Sequence, residues 1–299
     1  MLTFAVLFFI VLSGSLFFSS LFNSRFEEGV PLSVFSIIAV LYLFGLAHLL
    51  KAGVYFVCAG AVALTAFTIF REWQRKQIKA LIGRFFTPAF FMFAVLAAAI
   101  AIVSYRRLIT GWDEYSHWAY IVKAMVRVND FETNPLAHAL YFDYPPAMPL
   151  FQYFTIVLHG SFEEWLLYAA YLLAASSLFL PFLKHLTFKS MLLNVLVCGF
   201  IVFIPTLFFM DYYVNLQIDK LLGLMFGFSM AVLFLNTGTR NPLSRLTVLM
   251  SIFMLVLLKP SGSIFAVFVL IGFLFDVLRT GGSDMLSGES PVVLRREKA

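Results

Sequence analysis

The class of fold is decided by residues 71–109, in which 71-REWQRKQIKALIGRFFT-87 is followed at once by 88-PAFFMFAVLAAAIAIVSYRRLI-109. The first segment carries five Lys or Arg residues and one Glu. The second is largely apolar and reaches the length of about 20 residues that a helix needs to cross a bilayer. Short basic loops stay on the cytoplasmic side of membranes. We therefore expect residues 71–87 to be cytoplasmic and residues 88–109 to run outward.

The composition of the whole chain agrees with a membrane protein. Hydrophobic residues make up 62% of the 299 residues and charged residues only 12%, whereas soluble domains carry roughly 25% charge. The net charge of +5 does not indicate nucleic-acid binding, because the basic residues fall in short loops between apolar runs. We predict an all-α, polytopic helical bundle of eight to nine spans. The apolar runs are 2–22, 33–50, 52–70, 88–109, 165–183, 191–210, 221–236, 246–258 and 262–277.

Three regions are expected along the chain. Residues 1–87 form an N-terminal extension of three spans with the basic loop, and the first run is interpreted as a retained span rather than a signal peptide. Residues 88–279 form a transmembrane core with an outer loop at 110–149. Residues 280–299 are a flexible, basic, cytoplasmic tail. Cys58 and Cys198 lie inside apolar runs and are interpreted as core residues rather than a disulfide.

The distribution of charge predicts that three polar segments share the outer face. Loop 110–149 holds five acidic residues against two basic ones. Keeping every later basic loop inside places 211–220 and 259–262 on the same outer face as this loop. The same rule leaves one net crossing between residues 150 and 183. Residues 146–160 are then not a full span, and we expect a juxtamembrane or re-entrant helix there.

The outer loop opens with 111-GWDEYSHWAYIVKAM-125, and this stretch has two interpretations. On a helix, Asp113, Glu114 and His117 share a face. The segment is either an aromatic belt at the membrane interface or a carboxylate site. Such a site offers a general base, with Asp113 and Glu114 also candidate ligands of a divalent cation. A zinc site with His138 as third ligand is a weaker alternative. The aromatic residues are Trp112, Tyr115, Trp118 and Tyr120.

The motif 143-DYPP-146 marks the entry of an extended loop into a helix. Pro145 disfavours a helical conformation at Tyr144, and proline is common at helix starts. This change of conformation would fix Asp143 and Tyr144 at the opening of the space that the spans enclose. Pro145 and Pro146 follow them directly in the chain.

Two ionisable residues are predicted near membrane depth. Asp219 opens an apolar run, and Lys259 interrupts the apolar stretch 246–274. The arm before Lys259 has thirteen residues, or about 20 Å of helix against a hydrocarbon core of about 30 Å. Lys259 is therefore expected in a recessed cavity; the alternative is a side chain that snorkels to the headgroups.

Taken together, Asp113-Glu114, Pro145-Pro146, Asp219 and Lys259 resemble the motifs of the GT-C polytopic glycosyltransferases, such as protein O-mannosyltransferases and the lipid A aminoarabinose transferase. The family has an acidic pair in its first large outer loop, then a Pro-Pro motif, a later Asp and a Lys. The gaps here are 32 residues from Asp113 to Pro145, 106 from Asp113 to Asp219 and 40 from Asp219 to Lys259. The resemblance covers about residues 88–277.

The resemblance implies transfer of a sugar, with inversion, from a polyprenyl-phosphate donor to a lipid, glycan or protein acceptor at the outer face of the plasma membrane. Asp113 would act as base or metal ligand with Glu114 beside it. Lys259 would bind the donor phosphate, Asp219 would orient Lys259 or the acceptor, and Asp143 and Tyr144 would lie near the phosphate. His117, Trp112, Pro145 and Pro146 would support the site.

The chain also departs from the family pattern. Tyr144 stands where relatives often have a Lys, three spans precede the family's usual first helix, and residues after Lys259 are few. We therefore expect a short or truncated member, or one that works with a partner subunit. A transporter or a non-catalytic membrane scaffold is the alternative function.

Overall fold

A computed structural model of the chain describes residues 1–139, 144–190, 192–197, 199–200 and 215–287, with the backbone alone over 281–287. Every regular element among these residues is a helix, so the all-α prediction is confirmed for the described part. The helices are α1 (Leu2–Phe22), α2 (Phe26–Leu46), α3 (Leu50–Gln74), α4 (Ile78–Phe85), α5 (Pro88–Ser104), α6 (Ala119–Val128), α7 (Ala147–His159), α8 (Glu164–Ser177), α9 (Ile218–Leu235), α10 (Pro242–Leu258) and α11 (Gly262–Ser287).

Five of these helices, α1, α2, α3, α9 and α11, are long and apolar enough to cross a membrane. A sixth span results if α4 and α5, bent by 52° at their junction, are counted as one. The sequence predicted eight to nine spans. The run 165–183 ends as an α-helix at Ser177, and α10 has only 17 residues. The run 191–210 lies largely outside the described residues.

Helix α2 occupies the middle of the bundle. It packs against α1 and α3 and also against α5, α7, α8 and α10. Phe26 contacts Phe85 and Phe93 edge-on or tilted, and Phe35 meets Phe228 of α9. Helix α2 therefore buries apolar side chains against helices of residues 1–87 and of residues 88–279.

Polar contacts show that the loops lie at two opposite ends of the bundle. At one end, Glu72 accepts a hydrogen bond from Ser20 at 2.6 Å, and Arg25 pairs with Glu27 at 2.6 Å. At the other end, His48 of the α2–α3 turn contacts Asp130 of the long loop at 2.7 Å. The basic loops and the acidic loop thus lie at opposite ends, as the charge distribution predicts.

Helix α7 lies within the bundle near the acidic end. It has 13 residues, or about 20 Å, too short to span the hydrocarbon core. It begins directly after Pro146, as the sequence predicts, and every residue from Ala147 to Ile156 is buried. His159 at its other end bonds Thr3, which begins α1. Both ends of α7 therefore sit at the acidic end of the bundle.

The chain turns sharply between α10 and α11. Lys259 has an extended backbone, and the amide of Gly262 donates to the carbonyl of Lys259 at 2.8 Å. A Cβ on Gly262 would lie 2.0 Å from the carbonyl oxygen of Leu255. Only glycine therefore lets α11 begin this close to the last turns of α10. Beyond Thr280 the backbone stays helical to Ser287, where the sequence predicted a flexible tail.

Replacing Gly262 with Ala is expected to destabilise the protein by about 1–3 kcal/mol, because the new methyl group overlaps backbone that cannot move freely. Thermal unfolding in detergent measures the effect. Gly227→Ala in α9 is the control: nothing lies within 4 Å of its added Cβ, so it should keep or raise the melting temperature. Equal melting temperatures for the two variants would contradict the prediction.

Candidate functional site

A polar cavity of about 330 Å³ opens at the acidic end of the bundle. Three separate segments line it: the start of the loop after α5, the beginning of α9, and the α10–α11 turn. Tyr144, next to the double proline, closes one side. The lining residues are Trp112, Asp113, Ser116, His117, Trp118, Tyr144, Gln217, Asp219 and Lys259. The structure thus brings together the three polar segments that the sequence assigned to one face.

Asp113 stands on the outer rim of this cavity. It precedes a short π-helical segment, Glu114–Trp118, in which the amide of Ala119 bonds the carbonyl of Glu114. Its side chain is exposed, and its Oδ2 accepts a hydrogen bond from Nε2 of Gln217 at 3.4 Å. π-Helical turns are uncommon and occur often at functional sites. Here the π-turn places Asp113 and His117 in the wall of the same cavity.

Asp219 and Lys259 form an ion pair in the lining of the cavity, with Nζ of Lys259 2.5 Å from Oδ1 of Asp219. Asp219 lies in the first turn of α9, and Lys259 follows the last residue of α10. Each charge is therefore favoured by the dipole of its own helix. The side chain of Lys259 is 23% exposed and that of Asp219 63% exposed. Lys259 is thus partly buried in the lining of the cavity, and Asp219 is the more exposed partner.

Glu114 lies beside the cavity rather than in it. Only 2% of its surface is exposed, and its two oxygens accept three hydrogen bonds. Leu216 donates its amide to Oε1 at 2.6 Å, and Tyr168 and the amide of Gly111 donate to Oε2 at 2.8 and 3.1 Å. Glu114 is therefore held in place by its surroundings and is not part of the cavity wall.

Aromatic rings form the rest of the wall. His117 is buried between Trp118 and Tyr144, with ring centroids 4.2 and 4.5 Å away. Trp112, by contrast, is 81% exposed at the rim, as an interfacial aromatic residue would be. Pro145 and Pro146 precede α7 and hold Tyr144 against this cluster. Asp143 lies outside the described residues.

The residues present do not form a metal site at the acidic pair. Among the described residues, no three His, Cys, Asp or Glu side chains come close enough together to hold an ion. Both oxygens of Glu114 already accept N–H or O–H donors, which leaves Asp113 alone as a carboxylate ligand there. His138 is not part of the cavity wall. The described residues around the acidic pair therefore do not fit a metal ion.

Several residues of the site were not predicted from the sequence. Gln217 and Ser116 line the cavity, and Tyr168 and Tyr171 of α8 support it from behind. Both tyrosines lie within an apolar run, and only their hydroxyl groups distinguish them from the apolar residues around them. Gln217 had a usable signal, because it is polar and two residues before Asp219.

A second acidic pair, Asp130 and Glu132, lies at the same end but outside the cavity. Burial would raise the pKa of Asp130, but hydrogen bonds from Asn134, His48 and the amide of Phe131 lower it. Burial, with the nearby charge of Asp130, raises the pKa of Glu132 from its usual 4.5 to about 7. Glu132 is only 3% exposed, and its Oε2 has no hydrogen-bond partner among the described residues.

This raised pKa makes stability depend on pH. The folded state holds the proton of Glu132 more tightly than the unfolded chain, so stability falls as the pH rises from 4.5 through 7. Glu132→Gln should remove a penalty of about 3 kcal/mol above pH 7 and change little near pH 4.5. Melting temperatures of both proteins across this range measure it. A difference independent of pH would contradict the prediction.

The chain was compared with protein-family models, with curated proteins and with solved structures, and none of the three comparisons returned a match. The function proposed below therefore depends on the residues of the cavity and on their arrangement.

Proposed function

We propose that the protein transfers a sugar from a polyprenyl-phosphate donor to a hydroxyl acceptor at the outer face of the membrane. The observation that carries the proposal is the cavity that the carboxylate of Asp113 and the Lys259–Asp219 ion pair line together. A carboxylate and a recessed cation are the two groups that this reaction needs. The motif spacing that resembles the GT-C glycosyltransferases supports the same conclusion.

Lys259 is the group that receives the donor phosphate. An ammonium group has three donor hydrogens, so it can bind Asp219 and a phosphate oxygen together. Its recessed position weakens solvent screening and so strengthens a charge-assisted hydrogen bond. Asp219 keeps the ammonium pointed into the cavity before the lipid arrives. The negative charge that develops on the leaving phosphate is thereby stabilised.

Asp113 is the general base. In the transfer step, its carboxylate takes the proton of the acceptor hydroxyl as that oxygen bonds to the anomeric carbon. The bond from this carbon to the phosphate oxygen breaks with its electron pair, and polyprenyl phosphate leaves toward Lys259. Attack from the side opposite the leaving group inverts the anomeric configuration. Exposure at the rim lets Asp113 meet an acceptor from water, while the lipid tail stays in the bilayer.

The orientation follows from the charges. The cavity lies at the end of the bundle opposite Arg25, Arg84 and Lys184, and the end that carries basic loops is the cytoplasmic one in most membrane proteins. We infer that the cavity opens on the outer face of a plasma membrane. Labelling of Cys variants at positions 113 and 219 from each side tests this, and labelling from the cytoplasmic side would overturn it.

The direct test is a turnover assay on the full chain in lipid nanodiscs, with lipid, glycan and protein acceptors that carry hydroxyl groups. Polyprenyl phosphates carrying different radiolabelled hexoses or pentoses are the probes, and release of the sugar from the lipid is measured. We expect release for at least one donor and none for the matching polyprenyl diphosphate sugars. If no polyprenyl-phosphate donor binds or reacts, the proposal fails. Movement of an intact small solute across the membrane, blocked by substitutions inside the spans, would support a transporter instead.

A further inference from the structure

Helix α8 touches both walls of the cavity through two tyrosines. Tyr168 and Tyr171 are three residues apart, so they share one face of the helix, and they are 1% and 0% exposed. The hydroxyl of Tyr168 donates to Oε2 of Glu114 at 2.8 Å. The hydroxyl of Tyr171 donates to the main-chain carbonyl of Gln217 at 2.9 Å. One helix therefore holds the segment that carries Asp113 and the segment that leads to Asp219.

Glu114 joins the same two walls directly. Its Oε2 accepts from Gly111 in its own segment, and its Oε1 accepts from Leu216 in the other. The guanidinium of Arg107 lies 4.6 Å over the ring of Tyr168, which brings a positive charge close to this buried carboxylate. Buried hydrogen bonds of this kind are strong and directional because little water competes for them. The two walls are therefore tied at a defined separation.

We infer that Glu114, Tyr168 and Tyr171 form a positioning frame that sets the distance between Asp113 and the Asp219–Lys259 pair. The frame rests on the proposed function for its purpose, because in that reaction the base and the phosphate-binding cation must face opposite sides of one sugar. Asp113 is bonded to Glu114 in the chain, and Gln217 is two residues before Asp219. A shift of about 1 Å at such a site costs on the order of 100-fold in rate.

The test variants remove single hydrogen bonds from the frame. Tyr168→Phe and Tyr171→Phe each remove one hydroxyl group and keep the ring. Glu114→Gln keeps the shape of the side chain but replaces one acceptor oxygen with an amide nitrogen, which is a donor. That donor would face the amide of either Leu216 or Gly111, so at least one bond is lost in each orientation of the new amide. Tyr153→Phe is the matched control: Tyr153 is fully buried and donates to Asn129 at 3.2 Å, outside the cavity.

The readout is the separation of the walls and needs no substrate. Asp113→Cys and Gln217→Cys are introduced together, with Cys58 and Cys198 replaced by Ser. Side-chain atoms of residues 113 and 217 lie 3.4 Å apart in the native protein, and Tyr171 bonds only the main chain of Gln217. The rate of cross-linking by a short bifunctional thiol reagent is then measured in the full-length chain, with the melting temperature beside it.

We expect each frame variant to slow cross-linking several-fold, whereas Tyr153→Phe lowers the melting temperature to a similar extent and leaves the cross-linking rate unchanged. Unchanged rates in Tyr168→Phe and Tyr171→Phe would overturn the frame, even if both proteins were less stable. If Glu114→Gln does not fold, the cross-linking rates of Tyr168→Phe and Tyr171→Phe decide whether the frame sets the separation of the walls. Failure of sugar release by the native protein would count against the proposed function alone, because the cross-linking rate does not depend on it.

Discussion

Asp113→Asn is expected to lower the rate of sugar release roughly 10²- to 10⁴-fold, the loss that follows removal of a general base. Asparagine keeps the size of the side chain and can still contact Gln217, which lies 3.4 Å from the native carboxylate. It cannot take a proton from the acceptor. The donor lipid should therefore still bind to the variant, because Lys259 and Asp219 are intact. Turnover and donor binding measured on the same nanodisc samples separate the two effects.

The control for this variant is Glu163→Gln, which neutralises a carboxylate at the same end of the bundle but outside the cavity. It should leave sugar release unchanged. Two outcomes would contradict the role given to Asp113: an Asn variant that works at the native rate, or one that loses donor binding along with turnover. The first would fit a scaffold, and the second would assign Asp113 to the binding of the donor.

Lys259→Met is expected to raise the dissociation constant for a polyprenyl phosphate roughly 10- to 100-fold, because a hydrogen bond to a charged group contributes about 1.5–3 kcal/mol. Methionine preserves most of the aliphatic stem, so packing in the turn should change little. The variant also leaves the carboxylate of Asp219 without its partner at 2.5 Å, which adds repulsion toward the phosphate. Binding of the unglycosylated lipid phosphate, followed by native mass spectrometry, measures the effect.

Lys220→Met provides the matched control, since Lys220 follows Asp219 directly but is not part of the cavity wall. Its affinity for the lipid phosphate should stay near the native value. Lys259→Arg, which keeps the charge, should recover part of the loss. Equal losses in Lys259→Met and Lys220→Met would mean that the lipid senses only the overall charge of this end of the bundle, and the specific site would be refuted.

Some features of the site could be predicted from the sequence because they depend on short-range rules. The start of α7 after Pro146 follows from the conformational limits of proline. The break between α10 and α11 follows from the polar residues 259–262, which interrupt an otherwise apolar stretch. The shared end of loop 110–149, Asp219 and Lys259 follows from the rule that basic loops stay together on one side.

Other features needed the packed structure because they depend on which buried groups meet. Glu114 and Asp113 are adjacent and chemically alike, so no pattern in the chain tells them apart. Only their surroundings do: Glu114 is enclosed by Tyr168, Leu216 and Gly111, whereas Asp113 remains exposed. The span count depends likewise on where helices end, and the run 165–183 stops being an α-helix at Ser177.

The sequence by itself determined the membrane class, the all-helical fold and the end of the bundle at which the polar segments gather. These properties follow from the cost of exposing backbone and charge to lipid, which acts on each segment separately. The tertiary structure alone decided the meeting of Asp113 and Lys259 in one cavity and the support of that cavity by Tyr168 and Tyr171. Such contacts join residues 46 or more positions apart, and hydrogen bonding between buried partners becomes defined only when the helices have packed.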